Sequence, residues 1–314
     1  KTIRGAINGE AAADGGQGNL TVSNGGAAAK IQTFTGAIGQ TAELDMITLT
    51  TEADFDSSVK SDGVTIAAAT EGKFGGDLTL GAADLTLGDA TSQATFDGTS
   101  AQTITGGAAG EEIDGTGIIQ ISNTSTAGVT FSTNATIDSN TVELKLAANA
   151  RATTSVVSHV TKNVETLSGS VLVLDDTIAD TNTIFTTTDA LDEDSIHASS
   201  KIKMPSNFDN GETIKLFVDV LDADVVAITA DVNSALVDTG LVNYVATTTD
   251  TDDITVTATE TTDSAAASTL SVTTNEAKAL RQARTAMIGT AADLDTLTEA
   301  LSLENGNSTT DRTN

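Results

Sequence analysis

Between residues 47 and 96 the chain repeats itself. Ile47-Thr48-Leu49, Val64-Thr65-Ile66 and Leu85-Thr86-Leu87 are apolar-Thr-apolar triplets whose first residues lie 17 and 21 positions apart. Each is followed six to nine residues later by a lone phenylalanine (Phe55, Phe74, Phe96), and with Phe34 upstream these lie 21, 19 and 22 residues apart. Within the unit the alternation has period two, Thr, Val and Ile dominate, and Gly, Asn and Asp punctuate it, so each unit reads as short strands joined by turns. A unit of about 20 residues cannot bury its own apolar face, but stacking units at about 4.8 Å makes a continuous core. That is a β-solenoid, with Phe34, Phe55, Phe74 and Phe96 predicted to form one inward ladder, the triplet Val, Ile and Leu another, and the triplet threonines an outward row. A β-sandwich, whose strands also recur between turns, is the competing all-β reading.

Outward from this stretch the repeat is clearest over residues 30–150. Past Phe96 the period blurs, since the next phenylalanine is Phe131, but strand patterns continue at 118–121, 142–146, 171–174, 214–220 and 254–258. Residues 231–241 read as a short helix. Pro205, the one proline, falls in a loop-like Met204-Pro205-Ser206-Asn207, where it is harmless to a sheet. At Thr273 the pattern turns helical: Glu276 three residues on completes a capping box, and Ala277, Leu280, Ala283 and Met287 share a face. A second helix start follows at Thr290, with Leu294, Leu297 and Leu301 at helical spacing. The expected organisation is a β-solenoid body over 1–272, a helical element over 273–303 and a polar tail over 304–314. Some thirteen coils at about 4.8 Å each would make a rod of roughly 60 Å.

Composition narrows the function classes. The 15 basic and 44 acidic residues give a net charge of −29, which repels nucleic acid and anionic lipid and keeps an extracellular particle in solution. There is no cysteine, so disulfides, thiolate nucleophiles and cysteine-bound metals are excluded. Aromatic residues are only 3% of the chain, against 39% hydrophobic residues overall, which suits a thin core of many small layers better than one large core. No run of about 20 apolar residues spans a membrane. The start at Lys1 rather than Met gives the expectation of a leader removed on secretion.

Phe34-Thr35-Gly36-Ala37-Ile38-Gly39, continuing to Ile47-Thr48-Leu49 and Phe55, resembles the repeat of proteobacterial autotransporter passengers, especially rickettsial outer-membrane surface antigens. Lys203-Met204-Pro205-Ser206-Asn207-Phe208, Ala230-Asp231-Val232-Asn233, Leu241-Val242-Asn243-Tyr244 and Ile254-Thr255-Val256-Thr257-Ala258 resemble the passenger end that precedes the membrane barrel. The resemblance covers most of the chain. It implies a right-handed parallel β-helix carried to the surface by a barrel translocator and often cleaved near the linker helix. With no barrel in these 314 residues, the expectation is a passenger after cleavage beside Asn314.

Residues able to carry chemistry are sparse. His159 and His197 stand alone, without a second ligand at helical spacing, and Ser155 and Ser158 near His159 are no more than a Ser-rich chain provides. Gly15-Gly16-Gln17-Gly18 lacks the lysine and helix of a phosphate loop, and it reads, like Gly25-Gly26, as a turn. Glu111-Glu112 is the sort of acidic pair that raises glycoside hydrolysis, but saccharide subsites favour aromatic platforms and there is no Trp. Two acidic groups, Asp189, Asp192 and Asp194, and Asp250, Asp252 and Asp253, offer oxygen ligands to calcium. Their spacing fits neither an EF-hand nor the calcium-binding nonapeptide repeat, and a solvated acidic surface is the rival reading. The functional expectation is a non-enzymatic, secreted bacterial surface protein that self-associates into a layer or filament, because open strand ends recruit copies of the chain. A monomeric adhesin for a cell-surface receptor or glycan is the alternative, and a carbohydrate-active β-helix enzyme the third reading.

Overall fold

In the computed structural model, residues 1–9, 18–24, 31–107, 113–132, 134–188, 191, 195–220, 224–249 and 252–287 are described. They form a parallel β-solenoid closed at its C-terminal end by a mixed cap. Inward rows in register build the core, and three of them carry aromatic rings. The first runs Ile3, Phe34, Phe55, Phe74, Phe96, Ile121, Leu146, Thr166 and Ile196, each pairing with the next in parallel register. The second runs Ile7, Ile38, Val59, Leu78, Ile104, Phe131, Thr154 and Leu174. The third runs Leu20, Ile47, Val64, Leu85, Ile113 and Ile137, and continues through His159 to Phe185 and Phe217. Between inward residues the triplet threonines Thr21, Thr48, Thr65 and Thr86 pair with one another on the outside. The sandwich reading is thereby excluded for the repeat.

The expected phenylalanine ladder is present. Phe34, Phe55, Phe74 and Phe96 stack with ring centroids 5.0, 5.4 and 5.2 Å apart and interplanar angles of 19°. Each ring is at most 2% exposed, so each contributes about 2–3 kcal/mol by burial and about 1 kcal/mol more from stacking. After Phe96 the row keeps its register but not its residue type, because Ile121, Leu146 and Thr166 take over. Its steps, close to 20 residues along the ladder, become uneven after Phe96, at 25, 25, 20 and 30 residues. The aromatic rings move to other rows: Phe131 to the second, and Phe185 and Phe217 to the third, where they stack at 5.7 Å. This is why the period blurs in the sequence while the solenoid runs on past residue 150.

Bends between faces are closed by buried hydroxyls. Ser61 Oγ donates to the carbonyls of Leu44 and Gly63 at 3.1 and 2.8 Å, and Thr161 Oγ1 to those of Val142 and Asn163 at 2.6 and 3.0 Å. At another bend Gly39 sits at φ 72°, with its α-carbon so close to the Lys60 carbonyl that a Cβ would lie 1.9 Å from the oxygen. Only glycine fits there.

The solenoid ends earlier than the sequence suggests. The last pair of parallel strands joins Thr183–Thr187 to Thr213–Val218, with a single parallel bridge from Ile202 to Leu236 beyond it, so the coils span roughly 40 Å at about 4.8 Å each rather than the expected 60 Å. Thr213–Val218 then pairs antiparallel with an inner hairpin strand, Asp253–Glu260, which pairs antiparallel with an outer one, Val242–Thr249. The body expected to reach residue 272 is therefore a solenoid to Val218 and a cap beyond it. Period-two alternation looks the same in parallel and antiparallel strands, so the sequence did not betray the change.

Helix α1 (Val225–Ala235) buries Val225, Ile228, Val232 and Ala235, and begins several residues before the predicted 231–241 segment. Helix α2 (Asp263–Leu270) lies inside the 1–272 stretch assigned to the solenoid body; it is opened by Thr262, whose hydroxyl accepts the Ala265 N–H at 3.2 Å. Helix α3 (Thr274–Met287) starts with the predicted capping box: Thr273 N–H donates to Glu276 Oε2 at 2.7 Å and Glu276 N–H to Thr273 Oγ1 at 3.3 Å. The expected second helix from Thr290 and the tail over 304–314 lie outside the described residues.

Candidate functional site

The third inward row places His159 at the centre of the solenoid, 1% exposed, between the rings of Phe131 and Phe185 at 5.8 and 5.2 Å. Its Nδ1 accepts the Ile137 N–H at 3.1 Å. The proton of the neutral ring therefore sits on Nε2 and is donated to Thr154 Oγ1 at 3.0 Å; that hydroxyl in turn donates to the Val156 carbonyl at 2.8 Å. Burial pulls the imidazole down from 6.5 to about 4, and a second ring proton would face the Ile137 N–H donor to donor. Ser155 Oγ donates to the Phe131 carbonyl at 3.0 Å and takes no part in a triad. His159 is thus a structural member of the core. His197 is exposed, and its Nδ1 is engaged by the N–H and hydroxyl of Ser199 at 3.1 and 2.9 Å.

Of the two acidic groups weighed for calcium, Asp189, Asp192, Asp194 and Asp250 lie outside the described residues, as do Glu111 and Glu112. Asp252 precedes the inner hairpin strand, and its carbonyl accepts the Val220 N–H at 2.9 Å. Asp253 is 5% exposed and holds the Lys215 ammonium at 2.6 Å, so a cation at Asp253 would have to displace that lysine. Among the described residues no three His, Asp or Glu side chains group closely enough to hold a metal ion.

The polar chemistry lies outside the coils and is periodic. Over the phenylalanine ladder one outward row runs Thr33, Asp54, Lys73, Thr95, Gln120, Lys145 and Glu165, and beside it run Glu71, Gln93, Ile118, Glu143 and Asn163. Side chains tie together within and between coils: Gln93 Nε2 reaches Thr95 Oγ1 on its own strand at 2.7 Å and Gln120 Oε1 on the next coil at 3.3 Å, Lys145 meets Glu165 at 2.7 Å and Lys162 meets Glu143 at 2.8 Å. Burial works against the Glu143 charge, but the Lys162 hydrogen bond and Lys145 outweigh it and hold the carboxyl below its usual value. Asp54 is raised by burial and by its acidic neighbours Asp56 and Asp97, and Asp97 is raised by burial as well. These are exposed or half-exposed pairs, each contributing about 0–1 kcal/mol.

The cap brings together residues that no sequence motif marks. Arg281 joins Glu260 and Asp263, each at 2.6 Å, and lines a cleft of about 430 Å³ with Lys278, Gln282 and Thr285. Arg284, 4% exposed, donates Nη2 to the carbonyls of Ser206 (3.1 Å) and Phe208, pinning α3 onto the loop around Pro205. The phenol of Tyr244 reaches the Pro205 carbonyl at 3.3 Å, and burial pushes it well above its ordinary value. The arginines' spacing of three was the available signal, but only the fold supplies their partners.

Chemically this arrangement offers ordered polar rows on a filled core, with the cleft arginine already neutralised by two carboxylates. None of the described helices is long and apolar enough to cross a membrane. No family model, curated protein or solved structure matches the chain.

Proposed function

We propose that this protein is a non-enzymatic component of a bacterial cell surface, secreted as an autotransporter-type passenger, which acts as an adhesin through the side faces of its coils on a receptor or glycan. The observation that carries the reading is the division of labour between rows. Inward residues from Ile3 to Ile196 fill the coil, while the outward rows repeat hydroxyl, amide and charged groups at strand spacing. Repeat proteins use such extended faces for binding. The lack of cysteine, the net charge of −29 and the resemblance at Phe34–Gly39 and Lys203–Phe208 support the surface location.

The self-assembling reading rested on strand ends that recruit copies. At the C-terminal end the hairpin and α1 cover the coils, which favours lateral contact over an end-to-end filament. Immunogold labelling of intact cells that carry the native gene tests the location, with protease treatment of the same cells as a second readout. The reading expects label on unbroken cells that disappears after protease; label seen only after lysis would overturn it.

A further inference from the structure

A sheet that stops without a neighbour offers alternate backbone groups to any extended chain it meets. Among the described residues the cap's sheet stops at the outer hairpin strand, Val242–Thr249, which has the inner strand on one side. Tyr244 stands opposite Ala258, whose own N–H and carbonyl are engaged on the far side by Glu212 and Gly211. In an antiparallel pair alternate residues bond across, so the groups of Tyr244 and Ala246 point away from the hairpin, to the free edge.

That edge is already occupied. Tyr244 N–H donates to Asp238 Oδ1 at 2.8 Å, and Ala246 N–H donates to Asn233 Oδ1 at 2.8 Å. Asn233 Nδ2 donates back to the Ala246 carbonyl at 2.9 Å. One side-chain amide thus accepts from and donates to the same residue, which is what the backbone of a further antiparallel strand would do. Asn233 is placed for this by α1, where its Nδ2 also meets the Thr229 carbonyl one turn back at 2.9 Å. One more alternate residue along, the Thr229 and Thr248 hydroxyls lie 3.3 Å apart.

We propose that Asn233 and Asp238 are an edge guard: they fill the outward N–H of Tyr244 and both outward groups of Ala246 and prevent a second copy of the chain from adding a strand to the cap. This concerns the chain's own assembly and holds whatever its surface role.

The test uses the full chain with N233A, D238A and the double variant, each exposing edge groups. Thr261→Val serves as control. It removes a buried hydroxyl that donates to the Gly240 and Leu241 carbonyls at 3.0 and 3.1 Å in the same cap, away from the outer edge. Sedimentation velocity over a concentration series is read with far-UV circular dichroism on the same samples. The guard variants keep the parent β spectrum and shift to at least double the parent's weight-average mass at concentrations where Thr261→Val sediments as the parent does. Folded guard variants that sediment like the parent overturn the proposal, and so does equal assembly by Thr261→Val, which would make general loosening the cause. If the double variant loses its β spectrum, the single variants, each freeing one amide, decide the question by the same two outcomes.

Discussion

Acid should loosen the middle of the solenoid through one residue, His159. Its imidazole is held neutral by burial and by the Ile137 N–H on Nδ1, with a folded value near 4 against 6.5 when free. Between those values the unfolded chain binds a proton that the folded chain does not, so stability falls as pH drops through that window and is unaffected above about 6.5. At about 1.4 kcal/mol for each pH unit, the full loss by pH 4 is about 3 kcal/mol. Asp54, Asp62, Asp97 and Asp238, all raised chiefly by burial, pull the other way, since a carboxyl raised by folding favours the fold as pH falls through its folded value. The perturbation that separates the two is His159→Asn, whose amide oxygen offers Ile137 an acceptor and carries no proton in this range. Because the chain has no Trp, urea unfolding is followed by far-UV circular dichroism from pH 7.5 to 4 for parent and variant. Their stability difference should shrink by about 3 kcal/mol over that range, most steeply below pH 6.5. A difference that stays level from pH 7.5 to 4 would refute the reasoning.

Three further expectations follow from the packing. Phe74→Ala removes a fully buried ring from the middle of the stack and should cost about 3–5 kcal/mol in chemical denaturation, whereas Thr86→Ala on the outward row should change stability by less than about 0.5 kcal/mol. Thr65 and Thr86 are register partners on adjacent coils, so the double variant T65C/T86C in this cysteine-free chain should form a disulfide on mild oxidation; T65C paired with L80C should not, as judged by mobility on non-reducing gels. Ala69 holds a left-handed φ of 53°, a conformation that Asn149 adopts at 61° in a different corner of the coil. Ala69→Asn should therefore raise stability by about 1 kcal/mol, read as an upward shift of the denaturation midpoint.

Much of the fold was legible because a solenoid writes its period into the chain. The four stacked rings at Phe34, Phe55, Phe74 and Phe96 and the outward Thr48, Thr65 and Thr86 are where the spacing predicts them. Legibility failed where the row kept its place but changed its residue, as at Ile121 and Leu146, and where Phe185 and Phe217 joined a different row. It failed again in the cap, because Ile254–Ala258 alternates as a solenoid strand would, yet pairs antiparallel. The capping box at Thr273 was readable because both of its bonds are local. The roles of Asn233, Asp238, Arg281 and Arg284 were not, since each depends on a partner brought close only by folding. His159 stood out as an isolated histidine, but its neutrality comes from burial in the folded core, and its tautomer from an N–H twenty-two residues away.

The central claim is a filled solenoid whose C-terminal end is shut, and sedimentation velocity of the unmodified 31.7 kDa chain over a wide concentration range tests it most directly. With that end closed, strand-edge pairing cannot propagate along the axis through the cap, so the account predicts no concentration-dependent series of end-to-end polymers. A concentration-dependent series of longer polymers would show that the capped end accepts strands and would contradict it.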